Sequence, residues 1–395
     1  MPWLIAGGIY AWVLRETAGR TSAAGAEPDA GPSASGPQGP WGQRELTPIV
    51  ISPPLELAPK NWGPIEPPQW RFPHTSREDL ERFLSSTGLD SRQVAELLNS
   101  ARLEPRINGL IVSPGRDLVK ALPPRVRAAI YAQLARSPLN DRQYNAYQHF
   151  GPSVEEWLGR SRIPPRIAGI ARPYVYPVSD FLCFSDIDLV RSEIGDGPEL
   201  QRLAKSLLRE ATLLVRLQLS DESRVDAVAG YWGRGGRTTD IRPLLESIAA
   251  GGARRTIDIV HLLPPMARRR LYRSPRISLR DLEKGAFVNC FWTALNFFNT
   301  QPDDRFLNAA TAIETLKRDY HIVHDQFQLG DIAAFADSNG NHFHAAVYIA
   351  GNLVFGKNGA SSLSPWTIVP IERLEGYYID HADDWNVTFY QRNGL

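Results

Sequence analysis

The sequence predicts an α+β protein: a mainly helical amino-terminal and middle region containing an internal duplication, followed by a carboxy-terminal α+β domain. Three observations lead there. Capping signals and helical apolar spacing open the middle region, a fifteen-residue segment recurs within it, and after residue 280 one apolar helix gives way to alternating strands. The expected divisions are 1–45 for an apolar start and linker, 46–280 for the helical region, and 281–395 for the last domain.

Composition narrows the function classes. A chain of 395 residues that is 43% hydrophobic has enough material for two ordinary domains, which excludes disorder throughout. Two cysteines, Cys183 and Cys290, exclude a disulfide scaffold. With 44 basic against 43 acidic residues, the net charge of +1 argues against nucleic acid as a partner.

The first segment, Met1 to Leu14, is apolar and contains Trp3 and Trp12. Its length fits the core of an export signal, with Ala23, Ala24 and Ala26 available for cleavage, or a weak membrane anchor. Against export stand the lack of a basic leader and the early Arg15 and Glu16; a frayed or partly buried end in a cytoplasmic protein is the alternative. From Gly19 to Pro40, seventeen of 22 residues are Ala, Gly, Pro or Ser, a composition that cannot bury a core and reads as linker. The Pro-rich stretch Pro53–Pro73 is expected to wrap a surface, anchored by Trp62 and Trp70.

Next come two short helices. Thr75 with Glu78 suggests a capping box, with Leu80, Phe83 and Leu84 on one face; Ser91 opens the second, with Val94, Leu97, Leu98 and Ala101 inward. No basic recognition face follows, so plain packing is expected. Residues 117–131 and 258–272 then share seven positions, among them Leu122/Leu263, Pro123/Pro264, Pro124/Pro265, Arg127/Arg268 and Tyr131/Tyr272. Each copy reads as a helix broken at the double proline, with a new helix holding proline in its first turn. Some strand is expected around Tyr174–Phe184. The helical region shows no site-like cluster of its own; it is expected to shape the neighbouring cleft or receive a partner protein.

Chemistry concentrates near the carboxy end. Cys290 stands at the start of an apolar helix, where the dipole and free N–H groups favour a thiolate. Read alone, a cysteine beside Phe291 and Trp292 is more readily a buried small hydrophobe. Downstream, Gly330-Asp331 forms a turn feeding a strand, and residues 342–359 form a hairpin turning at Gly351-Asn352. Alternation would put His342, His344, Ala346 and Tyr348 on one face of that strand. A strand histidine beside a helix cysteine is the arrangement of a thiolate–imidazolium nucleophile.

Cysteine at a helix start, a Gly-Asp turn, then His-x-x-x-Tyr-Ile and a Gly-Asn turn resembles the NlpC-type cell-wall peptidases, which share the papain-like fold and are relatives of the CHAP amidases. The likeness covers roughly residues 282–395. It implies a papain-like domain with Cys290 as nucleophile, His344 as base, no metal or other cofactor, and a peptide or peptidoglycan stem amide as substrate in a bacterial envelope or secreted setting. Asn289 stands where the family has Asp, Phe291-Trp292 replaces Ser-Gly, and the family's third polar position falls at Gly356. Asn358 is the best substitute for that third residue, with adjacent Lys357 expected to point the other way. Asn289, Trp292, His342 and Lys357 are the candidate substrate-binding residues, although His342 could equally face solvent beside Asn341. Metal pairs such as His342 with His344, or His321 with His324 and Asp325, lack convincing further ligands. A papain-like fold kept only as a binding module is the alternative function.

Overall fold

Caps and alternating strands along the chain gather into two units in the computed structural model. It describes residues 34–35, 38–53, 55, 58, 63–99, 102–150, 153–159, 163–179, 181–219, 224–251, 255–275, 287–359, 364–378 and 385–395. The expected leader Met1–Leu14, most of the Gly19–Pro40 linker, and Trp62 lie outside the described residues. One unit takes Met1–Ile51, Glu210–Glu375 and Ala382–Leu395; the other, inserted into it along the chain, takes Ser52–Arg209 and Gly376–His381. The division expected near residue 280 therefore falls inside the first unit. Its cause is the nine-residue strand Glu210–Gln218, which pairs along its whole length with Gln43–Ile51. Among the described residues no helix is long and apolar enough to cross a membrane.

The protein is mixed α/β with several small antiparallel sheets. The middle region is less helical than its sequence suggests, because short strands such as Trp70–Pro73, Leu103–Arg106 and Gly109–Val112 build a three-stranded sheet there. Four residues are too few to display a period of two. A second three-stranded sheet contains Val175–Val178 and Phe181–Phe184, where strand was expected.

The inserted unit also holds the two helices read from caps. The first runs Arg77–Ser86, and its cap is Ser76, one residue after Thr75: the Ser76 hydroxyl accepts from the Asp79 N–H at 3.1 Å. Asp90 and Gln93 form the capping box of Ser91–Leu97. Leu80, Leu84, Val94 and Leu97 are buried together, as their spacing requires. The first repeat copy follows as Arg116–Ala121, a break at Leu122-Pro123, and Pro124–Ala135. Arg127 is fully buried. Its guanidinium donates to the carbonyls of Val119 and Pro173 and lies 3.6 Å from the Asp186 carboxylate. Tyr131 donates to the other oxygen of Asp186 at 2.7 Å.

In the first unit the second copy begins as the strand Thr256–Asp258 and a single tight turn, Ile259–His261, before the helix Pro265–Arg270. Here Arg268 is exposed and bonds the carbonyl of His261 at 2.8 Å. Beyond the helix, the Tyr272 N–H bonds the Trp366 carbonyl at 2.9 Å and the Trp366 N–H bonds the Arg273 carbonyl at 3.1 Å. The copy thereby straps the outer edge of a six-stranded antiparallel sheet.

That sheet runs in the order Tyr320–Val323, Trp385–Arg392, Ile332–Asp337, His342–Ala350, Leu353–Lys357, Trp366–Pro370. Its central hairpin turns through Gly351, whose φ of +62° favours glycine. Arg44 is buried against this turn and donates to the Ala350 carbonyl at 2.6 Å. Gly330 combines φ +93° with a close approach of Phe298: a Cβ there would come within 2.1 Å of that ring. Next to it, buried Asp331 accepts from Arg234 at 2.7 Å and from the Gln328 N–H at 2.8 Å, which fixes the expected turn.

Candidate functional site

Asn289 caps the helix Cys290–Leu295, accepting from the Trp292 N–H at 2.9 Å. It also donates to the Leu307 carbonyl at 3.3 Å, so its side chain is committed to holding the helix start. Trp292 is buried, donates to Asp304 at 3.1 Å, and shares the Arg270 guanidinium with Trp366. Both residues, expected to line a substrate cleft, have architectural partners here.

The helix packs on one face of the six-stranded sheet. Ala334, Ala345, Val347, Phe355 and Trp366 belong to the same core as Cys290 and Leu295. Trp366 donates to Thr293, one turn beyond Cys290, at 2.9 Å. Directly opposite residues of paired strands share a face, and Lys357 pairs with Trp366. The Lys357 side chain therefore lies on the Cys290 side of the sheet. It is fully buried, and its ammonium donates to the Gly359 carbonyl at 3.0 Å.

The two histidines separate. His344 pairs with Phe335 and His342 with Ala336, because the register slips between Phe335 and Ala336. Phe335 and Ala336 point to opposite faces, so a slip of one residue parts two side chains that strict alternation would keep together. His342 is on the helix face, 3.4 Å from the Tyr390 hydroxyl. His344 is on the other face, its ring edge-on to Phe335 with centroids 5.4 Å apart. Asn358 lies one residue beyond the end of the strand Leu353–Lys357. The structure thus brings Cys290 together with Lys357, and leaves the His344 side chain across the sheet from them. The expectation that His342 and His344 share a face, and that Lys357 points away from the thiol's side, is corrected by this register.

Electrostatics follow from the burial. Burial pushes the Cys290 thiol up, opposed by the N–H groups of Ala345 and Phe291 and by the charge of Lys357. Lys357 is lowered to about 8 by burial, against the pull of Cys290 and Glu210. His344 is pushed down to about 3 by burial alone, which makes it a neutral ring at pH 7. His342 is lowered by burial and by Lys317 on the facing helix Ala309–Asp319.

No known family, curated protein or solved structure matches this chain. Its chemistry rests on its own residues. Among the described residues, no three of His, Cys, Asp and Glu gather in a way that could hold a metal ion. Lys357 ends the strand Leu353–Lys357, whose five residues are all buried. Lysine is almost never fully buried unless paired.

Proposed function

We propose that the carboxy-terminal part of the first unit is a papain-like, NlpC-type fold acting as a thiol-dependent amide hydrolase, with Cys290 as nucleophile. The observation behind this is the setting of the sulfur. Cys290 opens a helix, meets the N–H groups of Ala345 and Phe291, and shares its side of the sheet with buried Lys357. Such donors stabilise a thiolate, and the N–H of Cys290 itself would serve the oxyanion of an attacked amide. The sequence likeness supports a peptide or peptidoglycan stem bond as substrate and an envelope or exported location. The two repeat copies support an ancestral duplication, with the helical part shaping access or receiving a partner. Cys290→Ala should abolish hydrolysis of purified cell wall and of simple peptide amides; undiminished hydrolysis would refute the assignment.

A second function, a binding module built on the same fold, is favoured by the position of His344. An imidazole on the far face of the sheet, neutral at pH 7, does not form an ion pair with Cys290. A packed structural thiol would resist iodoacetamide below pH 8 in the native protein, whereas a nucleophile would react.

A further inference from the structure

We propose that Lys357, rather than His344, is the proton partner of Cys290. The inference rests on the hydrolase function and names the group that activates its nucleophile. The geometric support has three parts. Lys357 faces Trp366 across the Leu353–Lys357 and Trp366–Pro370 strands, and Trp366 is hydrogen-bonded to Thr293 of the Cys290 helix. Lys357 and Cys290 are both buried on this side. His344, the histidine aligned by sequence, pairs with Phe335 and turns to the opposite side.

A fully buried lysine is costly, and it persists where a counter-charge or a reaction requires it. The charged and titratable groups acting on Lys357 are Cys290 and Glu210; those acting on Cys290 are Lys357 and the neighbouring backbone N–H groups. In the proton transfer, the Cys290 S–H bond breaks and an N–H bond forms on the neutral Lys357 amine, leaving thiolate beside ammonium. The sulfur then attacks an amide carbonyl, the C–N bond breaks, and the ammonium proton passes to the departing amine. Water cleaves the thioester and restores the thiol. A lysine brought near neutrality by burial is suited to this exchange.

The test is the pH dependence of Cys290 alkylation by iodoacetamide, read at that residue by mass spectrometry in the full chain. Lys357→Met should move the midpoint up by at least one pH unit and slow alkylation about tenfold at pH 7.5, since one unit is a tenfold change in thiolate. Lys357→Arg, which keeps the charge but cannot accept a proton, should retain a reactive thiol and lose hydrolysis. Should neither variant fold, the wild-type chain decides. Blocking Cys290 with methyl methanethiosulfonate should speed acetylation of Lys357 by acetic anhydride several-fold, because the thiolate's share of the charge holding its proton is gone while that of Glu210 stays. An unchanged alkylation midpoint in Lys357→Met, or an unchanged Lys357 acetylation rate, overturns the pairing. If the midpoint shifts while peptide amides and cell wall stay intact, the pairing stands and the hydrolase assignment fails. If hydrolysis occurs and depends on His344 but not Lys357, the hydrolase stands and the pairing fails.

Discussion

In the segment Asp117–Tyr131 the shared arginine is buried and carries a polar network, whereas in Asp258–Tyr272 its counterpart is exposed at the end of a short helix. The flanking structure makes the difference. Arg127 lies in a twelve-residue helix and reaches the carbonyls of Val119 and Pro173, with Asp186 at 3.6 Å. Arg268 lies in a six-residue helix and closes back on the nearby carbonyls of His261 and Leu263. Tyr131 gives its hydroxyl to the Asp186 carboxylate, while Tyr272 gives its own to the Leu213 carbonyl at 2.8 Å and takes φ +63°. Identical side chains thus serve a core in one copy and a sheet edge in the other. Sequence identity at seven positions preserves the proline break, not the environment around it.

The largest test of this contrast is the arginine pair. Arg127→Ala should cost about 3–5 kcal/mol, the expense of stranding a buried partner charge, while Arg268→Ala should stay within about 0.5 kcal/mol. Urea unfolding of each variant, with amide exchange resolving the two units, measures both; equal costs would erase the distinction. The tyrosines come next. Tyr131→Phe leaves buried Asp186 without its donor and should cost about 1–3 kcal/mol, against about 1 kcal/mol for Tyr272→Phe.

Acid should sharpen the comparison further. Burial raises the Asp186 carboxyl to about 6, outweighing the opposing pull of Arg127 and the Tyr131 hydrogen bond. An unfolded aspartate titrates near 3.9, about two units lower. The folded state therefore holds the proton more tightly, and this contribution is fully present below about pH 4 and lost as pH rises through 6. Stability of the inserted unit should fall over that window in the wild type and fall less in Asp186→Asn. Matching pH profiles for the two proteins would show that Asp186 does not govern the response. The smallest effect belongs to the prolines that open both helices. Pro124→Ala and Pro265→Ala should each shift stability by less than about 1 kcal/mol, because either residue fits the first helical turn. A large, unequal pair of values would mean that the shared break is itself environment-dependent.

Much of the local structure was legible in the sequence. Leu80 and Leu84, then Val94 and Leu97, gave the first two helices from spacing alone, and the Gly330-Asp331 and Gly351-Asn352 turns lie where glycine and its neighbours predict them. The start of the Cys290 helix was legible too, with Asn289 as its cap. What could not be read was environment. An arginine inside a helix ordinarily faces water, so nothing local distinguishes Arg127 from Arg268. The faces of His342 and His344 depend on a register slip in the pairing with Ile332–Asp337, a property of two strands that neither displays alone. Lys357 came to the side of the thiol for a related reason. Alternation orders residues along a strand, but only packing decides which side receives the helix. The expected boundary near residue 280 failed because Gln43–Ile51 finds its partner beyond the inserted unit.

The same long-range pairing bears on how the chain is made. Ser52–Arg209 is continuous, so nearly all of the inserted unit leaves the ribosome as one piece and can fold as soon as it emerges. Gln43–Ile51 is synthesised earlier, yet it must wait for Glu210–Gln218. Arg44 waits longer still: its acceptor on Ala350 lies 306 residues downstream, a delay of about 15–60 s at ordinary synthesis rates of about 5–20 residues per second. Until Glu210–Gln218 emerges, the edge of Gln43–Ile51 that it will cover stays open to capture by chaperones or by the same strand of a neighbouring nascent chain. The stretch Ser52–Arg209, though encoded after Gln43–Ile51, is complete before that strand's partner is made.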